Sequence, residues 1–320
     1  MYRKFLKLAL LLFAMSCTKS TVKPYEGQNR QKQEASPEVV AESSDVEVGQ
    51  AEPEEVETDE NFNVAPPCQR TVAGTVDNPD LLEISGLDVS LNNDNNLYVH
   101  NDSGDGPTVY QIDAKGQFVR EYSIAGEAVD WEDISIGPCD GSSCIHIADF
   151  GNNDADRSTF QIYRIKEGET NPVVINFRYP DGGAYNAETL AISPKDSSMY
   201  VIRKTTEIEN TLYRFPDNPV GDVDLIKVCD FTDIGAERVT GGDIHYSGEK
   251  ILIRTNENIY EYYAKDLKDG TVCGNRIRKL PHAEPQGEAV AYLNDSHSFY
   301  SVSEAANPPL YLFTCELNVD

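Results

Sequence analysis

The sequence predicts an all-β fold, a single β-propeller over residues 67–320, on three observations. A frame of two short apolar strands and a third strand with a tyrosine recurs five times, at intervals of 46 to 56 residues. Turn residues punctuate the chain every 8 to 12 positions, and no helical periodicity follows the first 17 residues. Repeats of about 50 residues with three or four strands each are typical of a propeller, whose blades surround a central channel.

The repeats align on the first strand of each frame. These strands contain Ser85-Gly86-Leu87, Glu132-Asp133-Ile134, Glu188-Thr189-Leu190, Gly242-Asp243-Ile244 and Glu288-Ala289-Val290. The last repeat ends after three strands, whereas residues 70–76 offer a spare strand ahead of the first repeat. We therefore expect this spare strand to form the outer edge of the last blade and to close the ring. Five blades are counted, and a sixth blade in an irregular stretch stays open as an alternative.

The chain begins with features of an export signal. Residues 1–16 have a basic front and an apolar run that is too short to span a bilayer. The run ends at Ala14-Met15-Ser16-Cys17, which resembles the cleavage box of bacterial lipoproteins, the alternative being an ordinary secretory signal. We expect residues 1–17 to be a lipoprotein-type signal peptide, with Cys17 acylated and anchored in the envelope membrane. Thr18 follows the cysteine rather than an aspartate, which favours the outer membrane, on its periplasmic or its cell-surface face.

Residues 18–66 predict a disordered acidic tether. They carry 12 acidic and 4 basic residues, few aromatic side chains and no apolar periodicity. Such a segment does not bury enough surface to offset the entropy of ordering it. The whole chain has a formal charge of −27, and most of the excess lies in the domain. Nucleic acid is disfavoured as a partner because its binding requires a basic surface, whereas cations suit this charge.

Six cysteines follow Cys17, and an even set in an exported protein predicts disulfides, with 15 possible connectivities. Cys139 and Cys144 flank a hairpin-like Asp-Gly-Ser-Ser loop, which makes them the first predicted pair. Cys68 and Cys315 stand at the two ends of the domain, and we expect their bond to lock the ring. The remaining two, Cys229 and Cys273, fall near the ends of two successive repeats.

Carboxylates at equivalent positions predict a metal site in the channel. Glu132, Glu188 and Glu288 share one register in three repeats, so they should converge where the innermost strands line the channel. Three buried carboxylates raise one another's pKa and require a cation or a basic side chain. Calcium, which accepts six to eight oxygens, is the expected ion. The further candidate ligands are Asp130, Asp149 and Asn152, together with Asp102 at the end of another second strand.

An internal ion-pair network is the alternative reading of these acids. Arg203, Lys204 and Arg254 stand at the ends of second strands in the intervening repeats, so they can neutralise the ring without a metal. Arg157 can likewise fix the acidic turn after Asp149. Trp131, the only tryptophan, is expected to pack between blades.

Several motifs resemble a group of exported bacterial propeller proteins with D-W-E-D-I-A, G-D-I-G-D-N, N-A-E-A-L and G-E-A-I signatures. The matching segments are residues 130–134, 148–153, 186–190 and 287–289, with Ser303-Glu304 and residues 307–309. The resemblance covers residues 83–313, and most members of the group have no assigned reaction. It extends distantly to phytase-like and esterase-like propellers and to calcium-dependent nucleotidases, which implies metal binding through channel carboxylates. The chain departs at Ala148 and Asn152, where the group has Gly and Asp, so a metal there should bind more weakly.

Two functional classes follow. The first is a binding module at the cell envelope, which contacts a protein or glycan partner and holds Ca²⁺ in its channel. The alternative is a metal-dependent hydrolase of a phosphate ester, ester or lactone, with Glu132 or Glu188 as general base. Because the fold does not choose between them, whether the chain is an enzyme stays open. We favour the binding module, since no set of basic residues stands near the acids to hold a phosphate.

Overall fold

A computed structural model describes residues 68–316 except 103, 206–208, 264 and 295, together with the backbone of residues 54 and 55. The predicted signal peptide, Cys17 and nearly all of the predicted tether lie outside the described residues. Within the part that is described, no helix is both long enough and apolar enough to cross a membrane.

Strands are the main secondary structure of the described residues, and they form five sheets. Two strands precede the first repeat, β1 (Glu54–Glu55) and β2 (Cys68–Thr75). Blade 1 contains β3 (Ile84–Val89), β4 (Leu97–Asn101), β5 (Thr108–Ile112) and β6 (Phe118–Ser123). Blade 2 contains β7 (Trp131–Cys139), β8 (Ser142–Asp149), β9 (Phe160–Lys166) and β10 (Val173–Arg178). Blade 3 begins with β11 (Ala187–Ile192), β12 (Met199–Arg203) and β13 (Asn210–Arg214).

After β13 the chain forms β14 (Gly221–Asp224), which lies parallel to β10 as a fifth strand of blade 2. The next strand, β15 (Ile226–Phe231), pairs with β13 and completes blade 3. Blade 4 contains β16 (Val239–Ile244), β17 (Lys250–Thr255), β18 (Asn258–Tyr263) and β19 (Arg276–Pro281). Two 3₁₀ turns, Leu267–Asp269 and Thr271–Gly274, lie between its last two strands. Blade 5 contains β20 (Gly287–Tyr292), β21 (Phe299–Ser303) and β22 (Pro309–Cys315).

The five sheets are the blades of a closed ring, as the repeats predict. The innermost strands are β3, β7, β11, β16 and β20, and each contacts the innermost strand of the next blade, with β20 returning to β3. The N-terminal strand β2 pairs antiparallel with β22 and so forms an outer strand of blade 5. The predicted closure by a strand from the start of the domain is therefore confirmed, and all described repeats are accounted for by five blades.

Three disulfides join the six cysteines of the domain. Cys68 and Cys315 are cross-strand partners on β2 and β22, so their bond ties the two ends of the ring together. The bond from Cys139 to Cys144 closes the β7–β8 hairpin. These two predicted pairs are confirmed. The third bond, from Cys229 to Cys273, ties the second 3₁₀ turn of blade 4 to the outer strand of blade 3.

Each innermost strand contains one irregularity in the same place, near its beginning. The pairing with the second strand skips one residue, and the skipped residues are Ser85, Glu132, Glu188, Thr240 and Glu288. A bulge of this kind bends the strand and redirects a side chain. The alignment of the fourth repeat through Gly242 is thus wrong by two residues. The first strand of blade 4 has Thr240, and neither Glu nor Ser, at its bulge. The sequence alignment therefore matched Asp243 with Asp133, which is not its structural equivalent.

Candidate functional site: an acidic cluster at the channel mouth

The bulges gather polar side chains at one mouth of the channel. At this level blades 2, 3 and 5 contribute Glu132, Glu188 and Glu288. Blades 1 and 4 contribute hydroxyl groups that bind the next blade instead: Ser85 Oγ donates to the carbonyl of Glu132, and Thr240 Oγ1 donates to that of Gly287 at 2.7 Å. The mouth therefore has three glutamates on its ring and two neutral positions.

Two aspartates extend the cluster beside Glu132. Asp102 follows β4, and Asp130 precedes β7, and both are partly exposed. Asp102, Asp130 and Glu132 each offer one carboxylate oxygen, and these three oxygens lie within 4.8 Å of one another. They are the hard oxygen ligands that Ca²⁺ and Mg²⁺ take in proteins.

A glycine makes room for this arrangement. The backbone of Gly151, just after β8, passes so close to the carboxylates of Asp130 and Glu132 that a Cβ atom there would collide with both. The Gly151 N–H also donates to the Asp130 carbonyl at 3.1 Å, which holds the two segments together. The close approach explains why a residue without a side chain follows Phe150.

Glu132 is the least satisfied member of the cluster. Its side chain is 2% exposed, and its Oε1 is buried with no hydrogen-bond partner among the described residues. Burial, followed by the charges of Glu188, Asp102 and Asp130, raises its pKa well above the usual range. A buried carboxylate without a donor is costly unless a proton or a cation compensates it.

The other acids of the mouth show the same excess of negative charge. Burial, then repulsion from Glu188, raises the pKa of Glu288 to about 8. Burial and the charge of Asp102 raise the pKa of Asp130 to about 6. Glu304, which follows β21, has a raised pKa for the same two reasons. Glu304 belongs to a segment that carries the family resemblance, but it was not among the predicted ligands, and the closure of the ring brings it to the mouth.

One lysine neutralises part of this negative charge. Lys204, directly after β12, forms an ion pair with Glu188, and the side chains are 19% and 4% exposed. The lysine also lowers the pKa of Glu132 and of Glu288, although burial outweighs its effect. The amide of Asn186 donates to Glu188 Oε1 at 2.9 Å. The predicted ion pair thus exists for Glu188, but a single lysine faces several buried acids.

The two other predicted basic partners point elsewhere. Arg203 lies over the ring of Tyr185, with its guanidinium carbon 3.8 Å from the ring centre. Arg254 is fully buried and pairs with Glu284 at 3.0 Å, while its other nitrogen donates to the His282 carbonyl at 2.7 Å. Neither arginine forms an ion pair with the ring glutamates, although the charge of Glu288 acts on Arg254. The predicted basic side chains therefore neutralise the mouth only in part.

Asp149 and Asn152, two further predicted ligands, have other partners. Asp149 is buried, pairs with Arg157 at 2.8 Å and accepts the Asp130 N–H at 3.1 Å. The side-chain oxygen of Asn152 accepts the Arg157 N–H at 2.9 Å, and its nitrogen donates to Ala184 at 3.1 Å. These residues hold the turn that carries Gly151, so they shape the cluster from behind it. The expected role of Arg157 in fixing this turn is confirmed.

Trp131 supports the cluster by packing. It is 1% exposed, its ring meets the edge of His100 at 5.6 Å, and it packs against Tyr163 at 6.1 Å. The side chain lies in the core between blades 1 and 2. It therefore fixes the backbone between Asp130 and Glu132, as expected for a packing residue.

The fold and this site define a five-bladed β-propeller with an acidic channel mouth. No protein-family model matches the sequence, and neither does any curated protein.

Proposed function

We propose that this protein is an envelope-anchored binding module whose propeller holds Ca²⁺ at the channel mouth and contacts its partner there. The observation that supports the proposal best is Glu132 Oε1, a buried carboxylate oxygen without a donor, beside the oxygens of Asp102 and Asp130. A cation bound to these three residues would compensate the charge that Lys204 leaves unbalanced. All three donors are carboxylate oxygens, which favour calcium or magnesium over softer metals.

The exposure of the site suggests how a partner is bound. Glu132 lies at the base of the cluster, whereas Asp102 and Asp130 border solvent. With one oxygen from each carboxylate, three of the six to eight positions of Ca²⁺ are filled, so the others are open to water or to a partner. Hydroxyl groups of a glycan and carboxylates of a protein are both suitable ligands. Lipid on Cys17 and the acidic tether would hold this mouth at the outer membrane, on its periplasmic or cell-surface face.

Thermal unfolding in calcium and in chelator tests the cation site. Binding to the folded state alone stabilises it by about 2.7 kcal/mol at a hundredfold excess over Kd. For a domain of this size, that corresponds to a rise in Tm of about 5–11 °C. Glu132→Gln should remove most of the rise because it neutralises the innermost ligand while conserving shape. Glu121→Gln, on the exposed outer strand β6, is the matched control and should respond like the unaltered protein.

An unchanged Tm across calcium, magnesium and chelator would contradict the cation site. A calcium response that persists in Glu132→Gln would place the ion elsewhere. Either result would also remove the basis of the hydrolase alternative, because that reading needs the same metal.

The hydrolase alternative has one observation in its favour. Asp130, partly exposed beside the proposed ion, has a pKa of about 6 because of burial and Asp102, which suits a general base. In this alternative Glu132 and Asp102 are the ligands and Asp130 is the base, so the role of Asp130 differs from its role in the binding module. Glu188 is less suitable as a base because it is paired with Lys204. Nitrophenyl phosphate, nitrophenyl acetate and a simple lactone, each assayed with calcium, decide the point. Turnover that Asp130→Asn abolishes would establish the enzyme, and its absence would support the binding module.

A further inference from the structure

Two further acids lie in the channel, away from the mouth. Asp88 on β3 and Asp243 on β16 are buried, with 5% and 6% of each residue exposed. They occupy equivalent positions, three residues after the bulges of blades 1 and 4. Those blades are not neighbours in the ring, yet β3 and β16 contact each other across the narrow channel. Both aspartates line one cavity of about 10 Å³, the room that a single water molecule needs.

Each of these carboxyl groups also clamps two blades together. Asp88 accepts the N–H of Val89 at 2.6 Å with one oxygen and that of Ile136, on blade 2, with the other. Asp243 accepts the N–H of Ile244 at 2.7 Å and that of Tyr292, on blade 5, at 2.8 Å. All four carboxyl oxygens therefore receive a backbone donor.

Blade 2 joins blade 3 at this level in two ways. Asp133 accepts the N–H of Ile134 and that of Leu190, each at 2.8 Å, which is the same clamp with a carboxyl group. Ser135 is equivalent to Asp88, and its hydroxyl oxygen accepts the N–H of Ile192 on blade 3 at 3.1 Å. A neutral oxygen can thus accept one of these backbone donors. Asp88 and Asp243 differ from Asp133 because they share one cavity, which raises the question of what balances their charge.

The groups that face the pair are acidic or neutral. Asp133, on β7, and Asp243 are the charged neighbours that act on Asp88, and Tyr292 on β20 lines the same cavity. Asp133 in turn faces Glu188 of β11. Burial, together with this repulsion, raises the pKa of Asp88 well above its usual range, and burial raises that of Asp243 to about 7. Two buried carboxylates on one small cavity do not both ionise at neutral pH.

We propose that Asp88 and Asp243 hold one proton between them across this cavity, so that closure of the ring is linked to proton binding. A protonated carboxyl group keeps lone pairs on both oxygens for its backbone donors, so the clamps to Ile136 and Tyr292 survive protonation. The folded-state pKa values lie above the unfolded ones, so this stabilisation is complete in acid and is lost as pH rises through about 7. The contribution of this pair to stability therefore rises as the pH falls from about 7 towards the unfolded-state pKa of about 4. This inference does not depend on the calcium site.

Infrared spectroscopy of the unaltered protein tests the proposal without any substitution. With ¹³C-labelled aspartate, which separates these groups from Glu132 and Glu288, a protonated-carboxyl band should be present at pH 6 and should disappear on titration with a midpoint at or above about 7. Asp88→Ser copies the clamp of Ser135, and either this change or Asp243→Ser should lower that midpoint, while burial keeps the remaining carboxyl group above its ordinary range. Glu288→Gln, which removes a mouth acid, is the control and should leave this band in place.

Proton linkage gives the second readout. One proton bound only by the folded state changes the unfolding equilibrium constant up to tenfold per pH unit. Between pH 5 and pH 7, Asp88→Ser should flatten this dependence, whereas Glu121→Gln should not. A protein without the protonated band at pH 6, or an Asp88→Ser variant with both the same band and the same slope, would overturn the proposal.

Discussion

Replacing Lys204 by methionine should destabilise the propeller strongly and make it dependent on calcium. The lysine is 19% exposed and its partner Glu188 is 4% exposed, so the substitution leaves a buried carboxylate without its cation. Breaking a buried pair from one side costs about 3–5 kcal/mol. For a domain of this size the loss in Tm is about 6–20 °C. Calcium should recover much of it, because the mouth then has a greater excess of negative charge.

Urea unfolding with calcium and with chelator measures the effect. Lys268→Met is the matched control, because this lysine is 32% exposed and pairs with the exposed Asp196 and Asp217 at 3.3 and 3.2 Å. Exposed pairs contribute about 0–1 kcal/mol, so the control should change little and should not depend on calcium. Two results would refute the reasoning: equal stability of the two variants, or a large loss in Lys204→Met that calcium does not reduce.

Three more predictions concern the site and its frame. Gly151→Ala should weaken calcium binding at least tenfold by calorimetry, because the added methyl group displaces Asp130 and Glu132. The circular dichroism spectrum should change little, and undiminished binding would contradict the proposed ligands. Removing the Cys68 to Cys315 bond by double serine substitution should lower the free energy of unfolding in urea by about 5 kcal/mol. Removing the Cys139 to Cys144 bond should lower it by only about 2 kcal/mol, because the first bond closes a far longer loop. Equal losses would show that strand pairing alone closes the ring. Burial, followed by the charges of His297 and Lys250, lowers the pKa of His245 to about 4. Its neutral form therefore stabilises the fold fully above pH 6.5, and this contribution is lost as the pH falls towards 4. In urea unfolding at pH 6.5 and 4.5, His245→Phe should lose less stability on acidification than the unaltered protein, and an equal loss would exclude this histidine.

The propeller could be predicted from the sequence because its signal is repeated five times. A single short strand is ambiguous, but the recurrence of strand, turn, strand and tyrosine specifies the blade, and the missing fourth strand of the last repeat specifies the closure by β2. The register of blade 4 was not predictable in the same way. Its bulge holds Thr240 rather than Glu, and the hydrogen bond of this hydroxyl to Gly287 is invisible in a linear pattern.

The site was predictable only where it follows the repeat. The shared position of Glu132, Glu188 and Glu288 is a consequence of register, so their convergence followed from the alignment. Gly151 and Glu304 reach the mouth through turns between strands, whose course no periodicity specifies. The clamp acids Asp88 and Asp243 were hidden for another reason, since the misplaced frame of the fourth repeat separated two positions that are equivalent.

Terbium luminescence tests the central claim, a cation at the mouth, most directly. Trp131 is the only tryptophan, and it stands between Asp130 and Glu132, so selective excitation of its indole should sensitise a lanthanide bound beside these ligands. Terbium, a hard cation that takes the same oxygen ligands as calcium, should show sensitised emission that calcium displaces. That emission should vanish in Glu132→Gln and persist in Glu121→Gln. Absence of sensitised emission, or emission unaffected by calcium and by Glu132→Gln, would contradict the site.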